Sequence, residues 1–273
     1  MKQAKSVPIR QKNPLGSDKK FALMSQNFNF KFSHPSPYSM SLKELIAHFD
    51  ATNLQLDSTE ADLCALSDQA AESGFASVSV YPYSVSLCAS ILYNTDVAIC
   101  AVIDYPHGRS CIEAKKSAIK NAAENGAAEV AVLMNYAALR AGEKSLFAEE
   151  AANLVATAEK HGLRSKLILE TSYLVKKQKL KAIRLIEAAR AHFIQISCSL
   201  GEKDSTFEDV KLSKEYCSKK TAIHAHYTGS SINDCIALLR AGANRLSVTQ
   251  VSSLLEAAKR NFSENCADLV KAE

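Results

Sequence analysis

The sequence has no tryptophan, only nine glycines and six prolines, and no long apolar run in its 273 residues. A membrane-spanning helix needs about 20 consecutive apolar residues, so this pattern argues against an integral membrane protein. Residues 1–20 also lack the apolar segment of a secretory signal. We therefore expect a cytoplasmic globular protein, of a length that suits a single α/β barrel.

The eight cysteines occur at irregular spacings, and none of them forms a Cys-x-x-Cys pair. This pattern argues against a disulfide scaffold and against a zinc knuckle, and it is typical of reduced thiols in a cytosolic protein. No Gly-x-Gly-x-x-Gly motif follows a predicted strand, which argues against a dinucleotide-binding domain. The sequence therefore predicts no cofactor and no bound metal.

Positive charge is concentrated at the amino-terminal end of the chain, whose formal net charge is +4. Residues 1–40 contain seven lysines and arginines against one aspartate, a net charge of +6, so the other 233 residues carry −2. The same segment holds four of the six prolines and a group of phenylalanines, Phe21, Phe28, Phe30 and Phe32. This composition is typical of a flexible basic extension.

Two interpretations of residues 1–40 remain open. The segment is either a solvated tail whose phenylalanines pack on the main domain, or an electrostatic arm that binds an acidic partner. The rest of the chain shows no sustained alternation of basic and aromatic residues, which argues against a nucleic-acid partner.

From residue 42 onward, short apolar runs alternate with amphipathic, alanine-rich stretches. Short runs that are apolar on both faces indicate strands buried in a parallel sheet. Eight strands are predicted, at 45–50, 75–81, 97–104, 129–135, 166–171, 193–198, 221–226 and 245–248. Helices are predicted at 59–73, 111–125, 146–161, 176–190, 207–219 and 232–241.

Four of these helices end in a glycine that is followed at once by a strand, at Gly74, Gly126, Gly162 and Gly242. Glycine at the end of a helix permits the positive φ that turns the chain back into the sheet. Eight β–α units of this kind predict a (β/α)8 TIM barrel over residues 41–260. Residues 1–40 form the basic extension in this prediction, and residues 261–273 form a C-terminal tail.

Polar residues inside or at the ends of the predicted strands are the candidates for a functional site. In such barrels the site lies at the carboxyl ends of the strands. The candidates are Asp50, Asp104, Asn135, Lys166, Glu170, Gln195, Ser197, His224 and His226. For each of them, the alternative is a polar group satisfied within the barrel. His224 and His226 also have the spacing of two metal ligands, a set that Glu170 or Asp104 would complete.

Five stretches resemble strand motifs of the deoxyribose-phosphate aldolases, a family of class I aldolases on the (β/α)8 barrel. They read FASVSVYP at 75–82, AVIDYPHG at 101–108, AEVAVLMNYAALRAG at 128–142, KLILET at 166–171 and HFIQISCS at 192–199. Their order and spacing match the second to sixth strands of the family. The similarity covers residues 42–258.

The resemblance implies that the reacting groups of the family are missing here. The family uses a lysine on the sixth strand as the Schiff-base amine, a lysine on the seventh that lowers its pKa, and an aspartate on the fourth for proton transfer. The matching residues are Gln195, His224 and Ala131. An amide cannot form an imine. Lys166 opens the fifth strand, so we expect it low in the barrel, away from the mouth.

The resemblance also implies a remnant of the substrate pocket and a weakened phosphate site. The remnant pocket comprises Asp50, Asp104, Asn135, Lys166, Glu170, Ser197 and His226. The family's Gly-Gly pair after the seventh strand, whose N–H groups contact the phosphate, is matched by Tyr227 and Thr228, and its Gly-x-Ser after the eighth by 247–249. The remaining phosphate donors are Thr228, Ser230, Ser231 and Thr249.

These losses predict an aldolase-like protein that is inactive on 2-deoxyribose 5-phosphate and acts as a binding or scaffold protein. The candidate partner is an acidic protein surface met by residues 1–40, such as an actin-like filament, by analogy with unrelated sugar-phosphate aldolases that also bind actin. The alternatives are residual aldolase (lyase) activity, or a new barrel reaction that uses His224, His226 and Glu170. Family members are often dimers, so a homodimer is a further expectation that the sequence leaves open.

Overall fold

The computed structural model describes residues 40–197 and 206–270. The predicted basic extension lies outside the described residues except for Met40, as do residues 198–205 and 271–273. Eight parallel strands close into a barrel in the order in which they occur in the chain. This architecture confirms the predicted (β/α)8 TIM barrel.

The strands are short and almost entirely buried, as expected for a parallel sheet covered on its outer face by helices. They are β1 (Phe49–Thr52), β2 (Ser77–Val80), β3 (Ala98–Ile103), β4 (Glu129–Leu133), β5 (Arg164–Leu169), β6 (Phe193–Ile196), β7 (Ala222–Tyr227) and β8 (Arg245–Val248). Pairing of β8 with β1 closes the barrel. The carboxyl ends of all eight strands therefore meet at one face, the mouth.

The helices of the described ranges follow the strands in the alternating order of the fold. They are α1 (Leu42–Ile46), α2 (Glu60–Ser73), α3 (Val85–Ile91), α4 (Ile112–Glu124), α5 (Tyr136–Ala141), α6 (Lys144–Lys160), α7 (Lys176–Ala188), α8 (Phe207–Tyr216), α9 (Ile232–Ala241) and α10 (Val251–Val270). Short 3-10 turns at Pro82–Ser84 and Thr171–Tyr173 follow β2 and β5. None of the helices in the described ranges is long and apolar enough to cross a bilayer.

The start predicted for the first strand, at residue 45, is wrong, because Leu42–Ile46 form helix α1. Ser41 and Glu44 form a capping box: the Glu44 N–H donates to Ser41 Oγ at 3.3 Å, and the Ser41 N–H donates to the Glu44 carboxylate at 2.8 Å. Leu45 and Ile46 still bury their side chains in the core. The apolar run therefore indicated burial correctly, but the local capping residues decided the conformation.

Besides α1, three helices were not predicted. Helices α3 and α5 have seven and six residues, too few for helical periodicity to stand out in a sequence window. Helix α10 runs past residue 260, where the sequence analysis places the start of a tail. By contrast, all four glycines predicted to follow helices have positive φ, from 71° at Gly162 to 124° at Gly242.

The barrel interior has an apolar side and a polar side. Most of the apolar core lies between the strands and the surrounding helices. A separate small cluster lies on β3, β4 and β5 and consists of Cys100, Val102, Ala131, Leu133 and Ile168. Buried polar side chains lie on β1, β2, β6, β7 and β8, and they also include Glu129 on β4 and Lys166 and Glu170 on or after β5.

Candidate functional site

Ion pairs fill the amino-terminal half of the barrel interior. Lys166 Nζ lies 2.5 Å from Asp50 Oδ2 and 2.7 Å from Glu129 Oε2. Arg245 joins the same two carboxylates, with Nη1 2.9 Å from Glu129 Oε1 and Nε donating to Asp50 Oδ1 at 2.7 Å. All four side chains are fully buried. Two buried cations thus neutralise two buried carboxylates, which we call the interior ion cluster.

The electrostatics of this cluster hold Lys166 in its charged form. Burial acts to lower the pKa of the Lys166 amine and Arg245 adds to this effect, but the facing carboxylates outweigh both and leave the pKa above its ordinary value. A protonated ammonium has no lone pair for attack on a carbonyl. Lys166 is therefore a structural cation in this geometry, with its amine bound to Asp50 and Glu129 and no exposed surface.

The two carboxyl groups of the cluster are held ionised by the same contacts. Burial raises their pKa values, but the charges of Arg245 and Lys166 more than reverse this effect. The pKa of Asp50 ends below its ordinary value, and the pKa of Glu129 ends well below it. Arg164 pairs with Glu129 as a further cation. All four side chains of the cluster are therefore ionised at neutral pH.

His224 lies at the edge of the ion cluster, with Nε2 3.4 Å from Asp50 Oδ2. Neither ring nitrogen has a hydrogen-bond partner among the described residues, and the side chain is 1 % exposed. Burial, with the Lys166 charge adding to it, holds the pKa of His224 well below its ordinary value. The imidazole is therefore neutral at neutral pH.

Gln195 lies beside His224 on the next strand, in register with it and with Ile168 on β5. Its side chain is 5 % exposed, and Nε2 makes a long hydrogen bond of 3.4 Å to the Ser197 carbonyl oxygen. Residue Ala131, on β4, lies within the apolar cluster of the interior. The three positions that the resemblance assigns to reacting groups thus carry an amide, a neutral imidazole and a methyl group.

A hydrogen-bond chain crosses β1, β8 and β7 near the mouth. The Thr52 hydroxyl donates to the Asp50 carbonyl oxygen at 3.2 Å, Thr52 Oγ1 and Ser247 Oγ are 2.7 Å apart, and Ser247 Oγ is 3.2 Å from His226 Nδ1. Each hydroxyl has one hydrogen to donate, so Ser247 donates to Thr52 and His226 donates to Ser247. This order places the imidazole hydrogen of His226 on Nδ1.

Glu170 accepts hydrogen bonds from two neighbouring hydroxyls at the end of β5. The Ser197 hydroxyl donates to Glu170 Oε1 at 2.9 Å, and the Ser172 hydroxyl donates to the same oxygen at 3.0 Å. Ser197 has a φ of 62°, a left-handed conformation that is uncommon for a residue with a side chain. The end of β6 is therefore held in a specific, strained geometry beside Glu170.

Asp104 and Asn135 are linked by a buried lysine and glutamate that the sequence analysis did not select. Lys115 Nζ lies 3.1 Å from Asp104 Oδ2 and 2.6 Å from Glu150 Oε1, and the Asn135 N–H donates to Glu150 Oε2 at 3.0 Å. Lys115 also donates to the carbonyl oxygens of Gly108 and Leu133. The only available signal was a charged residue on the apolar side of α4, which also buries Ile119 and Ala122.

Other residues of the interior were also missed, although three of them, Glu129, Arg245 and Ser247, lie within predicted strands. Glu129 and Arg245 are charged residues that open predicted strands, and Thr52 and Ser247 are polar residues at strand ends. Their importance lies in partners 116 and 195 residues away in the chain. No local pattern shows such pairings.

The predicted phosphate donors lie at the mouth, and one of them is already engaged. The Ser231 N–H, at the start of α9, donates to Tyr227 Oη at 3.0 Å, and Tyr227 Oη donates to Asp234 Oδ2 at 3.1 Å. Burial is the main cause that raises the pKa of Tyr227, so the phenol keeps its hydrogen. Thr228, Ser230 and Ser231 are exposed, and Thr249 lines a groove at the ends of β1 and β8.

The structure places the residues of the two catalytic alternatives in different contacts. His224 contacts Asp50, His226 contacts Ser247, and Glu170 contacts Ser197 and Ser172. Within residues 40–197 and 206–270, no group of three histidine, cysteine, aspartate or glutamate side chains is arranged to hold a metal ion. The histidine pair is thus divided between the ion cluster and the hydrogen-bond chain.

Comparison with known families and proteins agrees with this architecture. A family model described as "DeoC/LacD family aldolase" matches residues 44–198. The chain is 32 % identical over 221 residues to the deoxyribose-phosphate aldolase of Thermococcus kodakarensis, a match that covers 80 % of this chain and 99 % of that protein. It is also 32 % identical over 221 residues to the deoxyribose-phosphate aldolase of Caldanaerobacter subterraneus, covering 81 % of this chain and 96 % of that protein.

Solved structures show the same fold. A putative deoxyribose-phosphate aldolase from Coccidioides immitis superposes with a TM-score of 0.76 at 25 % identity, covering 88 % of this chain and 95 % of that chain. The deoxyribose-phosphate aldolase of Aeropyrum pernix, described as tetrameric, superposes with a TM-score of 0.74 at 23 % identity, covering 80 % of this chain and 92 % of that one. At that level of identity, the second likeness concerns the fold alone.

Proposed function

The chain belongs to the DeoC/LacD aldolase family, and from this premise we propose that it is a member that no longer forms a Schiff base and acts by binding. Class I aldol chemistry requires a neutral amine within reach of a carbonyl group. The proposal concerns whether the interior of this barrel still supplies one.

The observation that carries the proposal is the state of Lys166. It is the lysine that β5 places in the barrel interior, and its amine is bound between Asp50 and Glu129 at 2.5 Å and 2.7 Å. Release of this amine would require loss of a proton from a buried ammonium and would leave two buried carboxylates with one cation fewer. Lys166 is thus held away from covalent chemistry by its ion pairs with Asp50 and Glu129.

The three altered positions support the same conclusion. Gln195 carries an amide where the resemblance expects the Schiff-base amine, and His224 carries a neutral imidazole where it expects a second cation. Ala131 faces Cys100, Val102, Leu133 and Ile168, so the expected proton-transfer carboxylate is replaced by a methyl group in an apolar environment. Groups that act as a unit fail together, so these changes remove the pathway rather than adjust its rate.

Borohydride trapping tests the proposal. The protein is incubated with 2-deoxyribose 5-phosphate, and separately with 2-deoxyribose, then reduced with borohydride and analysed by intact mass, with an active deoxyribose-phosphate aldolase alongside as positive control. We expect no sugar adduct on the protein and a full adduct on the active enzyme. An adduct that peptide mapping assigns to Lys166, or to any lysine of the barrel interior, would overturn the proposal and favour residual lyase activity.

The binding role is proposed for residues 1–40, whose net charge is +6. A segment of this charge favours an acidic protein surface, and an actin-like filament is the partner proposed for it. Co-sedimentation of the full chain with actin filaments, compared with a chain lacking residues 1–40, tests this part. We expect salt-sensitive binding that is lost with the segment. Binding that survives the deletion, or none at low salt, would refute it.

A further inference from the structure

Building on the proposed function, we infer that a groove at the mouth, formed by Asn53, Gln69, Thr249, Gln250 and Ser253, binds an uncharged sugar or similar polyol. We infer further that Tyr227 and Asp234 keep phosphorylated ligands out. The inference rests on the lining of the groove, on the contacts of Tyr227 and on the distribution of charge at the mouth.

The groove, which we call the β1–β8 groove, has a volume of about 410 Å³ and lies between the ends of β1 and β8 and helix α2. This volume is within the range of small-molecule sites. Its polar lining consists of side-chain amides and hydroxyls, with Asp62 as the one charged residue, and no lysine, arginine or histidine lines it. Amides, hydroxyls and a carboxylate are the groups that exchange hydrogen bonds with sugar hydroxyls, whereas a phosphate requires cations or unused N–H groups.

The strand ends beside the groove are held rigidly. Thr52 and Ser247 are 4 % and 3 % exposed, and their hydroxyls are 2.7 Å apart across β1 and β8. Asn53 directly follows Thr52, and Thr249 follows Ser247 by two residues. The hydrogen-bond chain through His226 therefore fixes the two strand ends from which the groove is built, as a binding site requires of its supporting residues.

The neighbouring end of β7 is closed to an anion by the protein's own side chains. Barrels of this fold frequently bind phosphate at the loops after the seventh and eighth strands, where helix N–H groups point at the ligand. Here the Ser231 N–H donates to Tyr227 Oη at 3.0 Å. A side-chain carbon at Gly229 would lie 2.4 Å from the same oxygen, so the phenol fills the space above the loop.

Charge at this position also opposes an anion. Asp234 places a carboxylate in the first turn of α9, where its Oδ2 accepts a hydrogen bond from Tyr227 Oη at 3.1 Å. The described cations of the interior, Lys166 and Arg245, are bound to Asp50 and Glu129, and Lys115 is bound to Asp104 and Glu150. A phosphate ester at the end of β7 would therefore meet the carboxylate of Asp234, whereas an uncharged polyol carries no charge for that carboxylate to repel.

Binding measurements on the full chain test the inference. Isothermal titration and thermal shift would compare 2-deoxyribose, ribose and xylitol with 2-deoxyribose 5-phosphate and inorganic phosphate. We expect at least one uncharged compound to bind about tenfold more tightly than the phosphorylated sugar, and inorganic phosphate not to bind. Absence of binding by all three uncharged compounds, or equal binding of the phosphate ester, would overturn the inference.

Matched variants separate the two parts of the inference. Thr249→Val keeps the shape of the groove and removes a hydroxyl, and we expect it to weaken polyol binding about tenfold. Thr95→Val, whose hydroxyl bonds to Leu92 far from the mouth, should leave binding unchanged. Asp234→Asn and Tyr227→Phe should each bring binding of the phosphate ester closer to that of the free sugar. Asp68→Asn, an exposed change on α2, should not.

Each of these results can be assigned either to the groove inference or to the proposed function. A trapped sugar adduct would overturn the non-catalytic proposal and leave the selectivity of the groove to be judged by binding. Preferential binding of the phosphate ester, without an adduct, would overturn only the groove inference. Unchanged binding in Thr249→Val would exclude the β1–β8 groove as the site, whatever the selectivity of the wild-type chain.

Discussion

The two ends of the barrel interior are built on opposite principles. At the amino-terminal end, Asp50, Glu129, Lys166 and Arg245 are full charges, completely buried and each in contact with two others. At the mouth, neutral groups such as Gln195, Ser197 and Ser247 take part in individual hydrogen bonds. One end is a closed set of charges, and the other is held by hydrogen bonds that mostly involve neutral groups, including the chain through Ser247.

This difference supports the proposal that this family member has lost its chemistry and kept its fold. A buried charge cannot be removed without leaving its partner uncompensated, so the members of the ion cluster depend on one another. A mouth residue such as Gln195 makes one long hydrogen bond, and its replacement disturbs little else. Reacting groups at the mouth can therefore be replaced one at a time, while the interior ion cluster has to be retained as a whole.

The largest expected effect on stability comes from the loss of one cation from the interior ion cluster. Lys166→Met leaves Asp50 and Glu129 with one buried partner fewer, and we expect the free energy of unfolding to fall by about 3–5 kcal/mol. Urea denaturation measures it. Lys116→Met, which removes a surface pair with Glu113, is the control and should change stability by about 1 kcal/mol or less. Equal losses in the two variants would contradict the view that members of the buried ion cluster depend on one another.

A smaller effect is expected when a charge is introduced into the apolar side of the interior. Ala131→Asp places a carboxyl group among Cys100, Val102, Leu133 and Ile168, and we expect a loss of about 2–3 kcal/mol. Ala61→Asp, in the exposed first turn of α2, should be neutral or slightly stabilising because of the helix dipole. Thermal and urea unfolding compare the two. An Ala131→Asp protein as stable as the wild type would show that the apolar side tolerates the family carboxylate.

The pH dependence of stability should report on His224, which lies at the edge of the interior ion cluster. Its pKa in the folded protein is well below the unfolded value of 6.5. Below pH 6.5 the unfolded chain therefore takes up a proton that the folded protein refuses. The free energy of unfolding should therefore decrease as the pH is lowered below 6.5, with a contribution from His224 of up to about 1.4 kcal/mol per pH unit.

Unfolding midpoints between pH 5 and pH 8 measure this dependence. We expect His224→Gln to flatten it, and exposed His107→Gln to retain it. Part of the dependence should remain in either variant, because burial also lowers the pKa of His192. An unchanged profile in His224→Gln would contradict a neutral, buried imidazole at this position.

The smallest effect is expected for a single hydroxyl at the mouth. Ser247→Ala removes the group shared by Thr52 and His226, and we expect a loss of about 1 kcal/mol. Ser90→Ala, which removes an exposed hydroxyl that bonds within its own helix, should change stability by less than that. A loss in Ser247→Ala as large as that of Lys166→Met would remove the distinction between the two ends of the barrel.

Much of the fold follows from local patterns in the sequence. Short runs that are apolar on both faces located the eight strands, and glycines such as Gly74 and Gly162 located the turns back into the sheet. The error at the first strand arose because a capping box overrode an apolar run. Candidate residues at strand ends, including Gln195 and His226, were found because strand position alone predicts which end of a parallel barrel a residue occupies.

The sequence by itself determined the alternation of strands and helices, and therefore the barrel, because hydrophobic periodicity and turn chemistry are local properties. Only the tertiary structure decided which polar residues are partners. Lys166 meets Asp50 across 116 residues and Arg245 meets Asp50 across 195, distances set by closure and stagger of the barrel. The same closure brings Ser247 beside Thr52. Pairing across a closed sheet depends on geometry, which no local pattern contains.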